Sequence, residues 1–368
     1  MATETQCRIA LSFLPQIGDV VARHLIEHFG DASSIFKASR RELERIAAVG
    51  PSRAAAIRAF RDFDRTDAEI RFMERNNIRA IFWTDEDYPA KLRHCWDAPV
   101  LLYAGGAVNL QAPRMLGIVG TRRPTAYGVA CCKALVSALA PFNVTIVSGM
   151  AYGIDITAHQ AALEAGLPTI GVLAHGLDRL YPSQHARIAR QMRESGGLIS
   201  DFPSGTALNR MHFPRRNRVV AGICDGILVM ESGESGGSLI TADLANGYNR
   251  DVMAIPGRIG DAASAGCLAL IRENKAALVT SAEDIAAQLN WRQAAISPQA
   301  AIQTALFRDL EPQQRLILDM IGEGRLSMDE IQYKSGIPRS QVAGDMLTLE
   351  MLGMVRALPG HTFQRLPA

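Results

Sequence analysis

With 368 residues, 48% of them hydrophobic and 21% charged, the chain carries enough apolar mass for one large core and one or two small satellites. A formal net charge of +2 excludes a diffusely basic coat, so any nucleic-acid surface must be local, made by arginines gathered in space. No apolar run approaches membrane-spanning length, and Cys7, Cys95, Cys131, Cys132, Cys224 and Cys267 show neither Cys-x-x-Cys spacing nor a histidine cluster; a cytoplasmic protein with reduced thiols and no bound metal is expected.

Residues 1–75 read as short helices. Val21, Leu25 and Phe29 keep helical spacing up to Gly30, and Leu43, Ile46 and Val49 begin a second unit that ends at Gly50-Pro51. The turns Pro15-Gln-Ile-Gly18 and Ala48-Val-Gly50 resemble paired helix-hairpin-helix motifs, in which a Gly-x-Gly hairpin offers backbone N–H groups to a phosphate. Gln16 and Ala48 hold the first glycine position in both copies, which favours a structural or protein-binding role. From Arg79 to Gly106 a strand, Ala80–Trp83, and a proline-punctuated stretch lead into the main domain, and their aromatics are expected to be structural.

The main domain, residues 76–290, alternates strand and helix. Strands are expected at Leu116–Val119, Val144–Val147, Thr169–Leu173, Leu198–Ser200, Gly226–Met230, Val252–Ile255 and Ala277–Val279. Such a pattern predicts an α/β fold, a mostly parallel sheet covered on both faces, with ligands held beyond the carboxyl ends of the strands.

Four loops there carry information. Gly120-Thr-Arg-Arg-Pro-Thr-Ala-Tyr-Gly128 departs from the dinucleotide fingerprint, because Arg122 stands where a second glycine would admit a pyrophosphate; no NAD or FAD cofactor is expected. Val147-Ser-Gly-Met-Ala-Tyr-Gly-Ile-Asp155 is a strand, a small-residue turn including Ser148 and Gly149, and a helix start able to face an anion, although a plain βα connection reads the same way. His212-Phe-Pro-Arg-Arg-Asn-Arg218 is expected to open a helix at Pro214. Arg215, Arg216 and Arg218 then lie in the positive end of the helix dipole, where a cation costs about 0.3–1 kcal/mol. A bound polyanion joined by Arg210 would offset that cost, as would pairing with Asp155 or Glu231. Finally, Ser235, Gly236 and Ser238 belong to a glycine-serine loop that opens another helix and can offer N–H and hydroxyl donors.

Taken together, Ile118-Val-Gly-Thr-Arg122, Val147–Asp155 with His159, Gly176-Leu-Asp with Tyr181-Pro182, Phe213–Arg218, Ser235–Thr241 and Ile255-Pro-Gly257 resemble the DNA-processing protein A family, DprA or Smf, across roughly residues 80–285. The resemblance implies an extended Rossmann-like domain, single-stranded DNA binding, RecA loading during natural transformation, and a dimer. By motif, it implies a DNA pocket made by Arg122, Ser148, Gly149, Arg210, Arg215, Arg216 and Arg218, with Phe213 stacking on a base; a core phenylalanine is the competing reading of Phe213. The family loop usually reads Arg-Ser-Gly-Ser where this chain has Glu234-Ser-Gly-Gly-Ser238. Asp155 and His159, four apart on one helix face, are expected to fix the loop and pair with an arginine rather than do chemistry.

After a linker at 291–309, residues 310–368 read as a winged helix: helices from Glu311, from a Ser327–Glu330 capping box and from Ser340 to Gly353, then strands flanking Pro359-Gly-His. The third helix lacks base-reading arginines. The dimer contact is expected on the far helices and edge of the sheet between Leu239 and Leu289, where Leu268, Leu270 and Ile271 supply apolar surface that a monomer would instead bury in its own core. Two other classes stay open: a nucleotide-processing enzyme related to nucleoside-monophosphate phosphoribohydrolases, using Glu231 or Asp155, and a winged-helix transcription regulator. No Walker A motif is present.

Overall fold

The structure is a computed structural model that describes residues 2–291, 311–322, 324–351, 354–358 and 362–366. The chain divides into two compact units, residues 1–292 and 293–368. The expected linker at 291–309, apart from its first residue, lies outside the described residues, as do Gly353 and the Pro359-Gly-His turn.

The first unit begins with six helices, α1 (Glu4–Leu11), α2 (Asp19–Phe29), α3 (Ala32–Lys37), α4 (Arg40–Glu44), α5 (Pro51–Ala59) and α6 (Phe63–Arg75). Their ends are written locally. Thr3 with Gln6 and Ser39 with Glu42 form capping boxes, and Gly30, at φ +83°, ends α2. Ala22, Leu25 and Ile26 of α2 are buried, each of the two larger side chains stabilising the fold by about 1.5–3 kcal/mol. Both hairpins are present: Gln16 adopts a left-handed φ of +65°, while Gly18 and Gly50 cap α2 and α5. Arg53 donates to the Gln16 carbonyl (3.1 Å) and the Ala48 carbonyl (2.7 Å), tying the hairpins to each other.

A nine-stranded sheet follows, in the order β1-β2-β6-β5-β4-β3-β7-β8-β9. The strands are β1 (Ile78–Phe82), β2 (Leu101–Gly106), β3 (Met115–Gly120), β4 (Thr145–Ser148), β5 (Thr169–Leu173), β6 (Gly197–Ser200), β7 (Gly226–Met230), β8 (Asp251–Ala254) and β9 (Ala277–Leu278). From β6 to β9 every pairing is parallel, whereas β2 joins β6 and β1 antiparallel. The α/β class and all seven expected strands are therefore observed, within a residue or two at their ends. The strands are apolar on both faces because both are covered. Ile118 and Ile146 pack under α8 (Ala126–Ala138), α9 (Ile154–Glu164) and α14 (Ala282–Gln288). Val119 and Val147 belong to the opposite core, with α11 (His212–Ile223), α12 (Gly237–Gly247) and α13 (Ala265–Arg272). The short α7 (Ala90–Arg93) and α10 (Ala186–Ser195) complete the unit.

The outer edge fuses the helical module to the sheet. Ile78, Phe82, Leu101 and Tyr103 share one apolar cluster with Leu11, Leu25 and Ile57, and the Tyr88 hydroxyl donates to the Pro99 carbonyl (2.7 Å). The aromatics of this stretch are structural as expected, except Trp96, which is 67% exposed. The expected dimer patch needs correction: Leu270 is buried in the chain's own core and Ile271 packs against it, while Ile240, Ile259 and Leu278 are exposed.

The second unit holds α15 (Pro312–Ile321), β10 (Arg325–Ser327), α16 (Met328–Ser335), α17 (Arg339–Met351), β11 (Val355–Leu358) and β12 (Thr362–Arg365). Its own core gathers Ile317, Ile331, Val342, Leu349 and Phe363. The expected capping box at Ser327 is formed. The sequence reading missed β10, which pairs with β12 and completes a three-stranded wing.

Candidate nucleic-acid interface

The strand order reverses at β3. Chain passing outward through β4, β5 and β6 returns to β7 on the other side of β3, so the loops after β3, β4 and β7 diverge and leave a crevice. A cleft of about 380 Å³ lies there, lined by Gly120, Thr121 and Arg122 at the end of β3, Ala151 and Asp155 after β4, Phe213, Pro214, Arg216 and Asn217 at the start of α11, and Ser232, Gly233, Ser235 to Ser238, Ile240 and Thr241 around the start of α12. It collects Arg122, Asp155, Phe213, Arg216, Ser235, Gly236 and Ser238. The other candidates lie outside its lining.

Arg122 and Phe213 form its lip. The Arg122 guanidinium carbon sits 5.4 Å from the centre of the Phe213 ring, a cation–π distance, and Arg122 makes no ion pair among the described residues. Phe213 is half-buried, with Tyr181 edge-on at 6.5 Å, and does not belong to the buried core. Opposite, α12 has Gly236 as its N-cap, with no side-chain cap on its first amides, and Gly236, Gly237 and Ser238 line the cleft. Ser238 is held by a hydrogen bond between its hydroxyl and that of Ser232 (2.8 Å), and Asn217 donates to the Gly237 carbonyl (3.2 Å).

The helix N-terminus that holds a pyrophosphate in dinucleotide folds is closed here. Glu231, itself at φ +46°, accepts from the Thr125 amide (2.8 Å) and the Thr125 hydroxyl at the start of α8. An internal carboxylate thus occupies the place of a phosphate.

The arginine helix begins at His212, two residues before the expected Pro214, and Pro214 falls in the first turn, where its missing N–H costs nothing. Its electrostatic oddity is resolved differently at each arginine. Arg216 is buried in the cleft floor, donating from Nη1 to the carbonyls of Gly149 (2.5 Å) and Val172 and from Nε to Asn217 (3.1 Å). Burial pushes its pKa down, and Asp155 opposes that. Burial likewise pushes the Asp155 carboxyl up, with Arg216 opposing. Arg218 is engaged elsewhere: Nη2 lies 2.8 Å from both Asp19 and Asp201, and Nη1 meets the Asp97 carbonyl. Arg215 joins the same carboxylates, at 3.2 Å from Asp201 and 3.4 Å from Asp19, and covers the Phe202 ring. The expected compensation by carboxylates is therefore real: Asp19 and Asp201 provide it for Arg215 and Arg218, and Asp155 provides it for Arg216 by its field without an ion pair among the described residues. Arg218 clamps the helical module to the sheet.

Ser148 is also corrected. It is fully buried, and its hydroxyl donates to the Ile118 carbonyl (2.6 Å), within the sheet. Gly149 is glycine because a Cβ there would lie 2.2 Å from the Arg216 guanidinium. Gly153, at φ +83°, lets the turn after β4 approach the Thr121 carbonyl, which accepts from the Ile154 amide (3.1 Å). Asp155 holds that turn as expected, accepting from the Ala151 amide (3.3 Å). His159 does not: its Nδ1 bonds the Thr169 hydroxyl (2.7 Å), which itself donates to the Ile146 carbonyl, so Nδ1 carries the proton. Burial, then the positive fields of His185 and Arg216, hold its pKa down to about 3. Arg210 is exposed and makes no ion pair among the described residues.

These features define a Rossmann-like protein whose switch-point cleft offers a cation on an aromatic ring, a buried arginine and free helix amides in place of a dinucleotide site. Comparison with known proteins gives its family. The chain belongs to the DNA recombination-mediator protein A family, whose model matches residues 79–290. The DprA winged helix domain matches residues 301–361 and a helix-hairpin-helix motif matches 8–70. The chain is 31% identical to the Smf protein of Synechocystis over 392 residues, covering 97% of this chain and 98% of that one. It is 37% identical to the DNA processing protein DprA of Streptococcus pneumoniae over 246 residues, 67% of this chain and 86% of that one. The X-ray structure of DNA processing protein A from Streptococcus pneumoniae superposes with a TM-score of 0.68 at 30% identity, over 78% of this chain and 98% of that chain. A structure of DNA processing protein A from Helicobacter pylori, described in terms of its single-stranded DNA binding mode, matches with a TM-score of 0.53 at 27% identity, over 58% and 97%. The chain is thus a DNA-processing recombination mediator by family. Among the described residues no helix is long and apolar enough to cross a membrane.

Proposed function

We propose that this chain binds single-stranded DNA in the switch-point cleft, protects it, and loads the RecA recombinase onto it during natural transformation, acting as a homodimer. The observation that carries the reading is the pairing of Arg122 over the half-buried Phe213, facing the uncapped start of α12. A ring can stack on any base, and the guanidinium and amides can hold the adjoining phosphates, which is binding without sequence preference. The single-strand binding mode named for the Helicobacter pylori relative supports the same reading. Glu231 argues against the nucleotide-hydrolysing alternative, since both its carboxylate oxygens are engaged by Thr125. For the dimer, Ile259, 97% exposed, and Leu278, 53% exposed, supply apolar surface beside α12 and α13 in sequence.

The test is fluorescence anisotropy of the full chain with oligo-dT and with duplex DNA across a salt series. Arg122→Ala should weaken single-strand binding and lower the logarithmic salt slope by about 0.7, the share of one phosphate contact. Equal affinity for duplex, or an Arg122→Ala/Arg210→Ala chain with unchanged affinity and slope, would refute the cleft assignment. RecA filament nucleation on single strands with and without the protein tests loading, and sedimentation at micromolar concentration tests the dimer.

A further inference from the structure

Helix α10 buries Ala189 and Met192 and leaves its other faces in solvent. Those faces carry Arg187, Arg190 and Arg193, and only one acid, Glu194. None of the three arginines makes an ion pair among the described residues. Arg193 folds back with its guanidinium against Gly105 of β2, which leaves Arg187 and Arg190 uncommitted. They sit one turn apart, where like charges repel, and Arg187 lies in the positive first turn of its helix. Beside them α9 and α10 enclose a groove of about 490 Å³ whose lining includes Gln160, Gln184, Arg187 and Gln191.

No residue lines both this groove and the cleft, but two tyrosines lie between them. Tyr181, 46% exposed, meets Phe213 at the cleft lip, and α10 begins at Ala186, five residues beyond Tyr181. Tyr152, 43% exposed, donates from its hydroxyl to Gln184 (2.9 Å), which lines the groove. The surface thus carries aromatic rings, then neutral amides and Arg187 in the groove, with Arg190 one turn further along α10; neither arginine has an ion pair among the described residues. Glu164 on the groove wall lies 3.9 Å from Lys133.

We infer that Arg187 and Arg190 form a second phosphate contact, a track along α10 that holds the single strand after it leaves the cleft. The inference rests on the reading of the cleft as a single-strand site. Rise along the helix separates the two arginines by about 4.5 Å, so two neighbouring phosphates of one strand can be met together.

The experiment compares the full-length wild type, Arg187→Glu/Arg190→Glu and Arg122→Ala on oligo-dT of about 5 and about 20 nucleotides. Glutamate at 187 falls in the first turn of α10, where it is favourable, and position 190 is exposed in the next turn, so the double variant should melt like the wild type. On the long oligonucleotide it should bind at least about tenfold more weakly, with a salt slope lower by about 1.4, two phosphates at about 0.7 each. On the short one, which the cleft alone accommodates, it should bind as the wild type does, whereas Arg122→Ala should lose affinity for both. The neutral Arg187→Gln/Arg190→Gln chain should fall between. Wild-type slope on the long strand, or equal losses on both lengths, would overturn the track while leaving the cleft intact. A wild-type chain that binds no single strand, or an Arg122→Ala chain that binds both lengths normally, would remove the cleft and the track with it.

Discussion

Replacing Arg218 with alanine should destabilise the protein before it alters DNA affinity. Its side chain is 9% exposed, that of Asp201 is fully buried and that of Asp19 is 16% exposed, so removal leaves two largely desolvated carboxylates without the guanidinium they shared. Breaking a buried pair by deleting one partner costs about 3–5 kcal/mol. Arg215 remains 3.2 Å from Asp201, which argues for the lower end. A loss of about 3 kcal/mol corresponds to a fall in Tm of about 6–12 °C for a unit of this size. Urea denaturation should show a lower midpoint with an unchanged slope, because the amount of surface exposed on unfolding is the same. Adding Asp201→Asn should recover part of the loss by removing the unpaired charge. Oligo-dT affinity at a temperature where the variant is folded should stay within about twofold. A Tm within about 2 °C of wild type, or a tenfold loss of affinity in a chain as stable as wild type, would refute the clamp and return Arg218 to the DNA site.

Gly149→Ala should drive a methyl group into the Arg216 guanidinium and break its two carbonyl bonds; with charged hydrogen bonds contributing about 1.5–3 kcal/mol each, a loss of about 3–6 kcal/mol is expected, and unchanged urea stability would refute it. A chain ending at residue 292 keeps Trp291, whose amide bonds the Ala286 carbonyl, and should remain folded with most of its single-strand affinity; a loss of tenfold, about 1.4 kcal/mol, would bring the winged helix into the site. His159 predicts a pH dependence. Its native pKa of about 3 lies below the ordinary 6.5, so below pH 6.5 the unfolded chain takes up a proton that the native chain refuses. Stability is complete above about pH 6.5 and falls by about 1.4 kcal/mol per pH unit toward pH 3. His159→Gln should flatten that slope in urea titrations, and parallel slopes for the two chains would refute the assignment.

What the sequence determined by itself was local. Short apolar runs set every strand of the parallel sheet, since a strand buried on both faces must be apolar throughout, and the Ser327–Glu330 spacing set the start of α16 because a capping box is closed within four residues. Arg122, Phe213 and the Ser235–Ser238 loop were legible as cleft residues because they sit directly beyond strand ends or at helix starts. The fate of each arginine was not. Whether Arg216, Arg218 or Arg122 is free depends on which carbonyls and carboxylates lie across from it. For Arg218 the decisive partner, Asp19, is 199 residues away on a helix whose own pattern gives no sign of the contact. Nor could the sequence show that Glu231 folds back onto α8 from 106 residues away, or that Ser148 turns its hydroxyl into the sheet. Spacing places a charged side chain on its element; only the packing of elements against one another decides which charges are neutralised within the protein and which are left for a ligand.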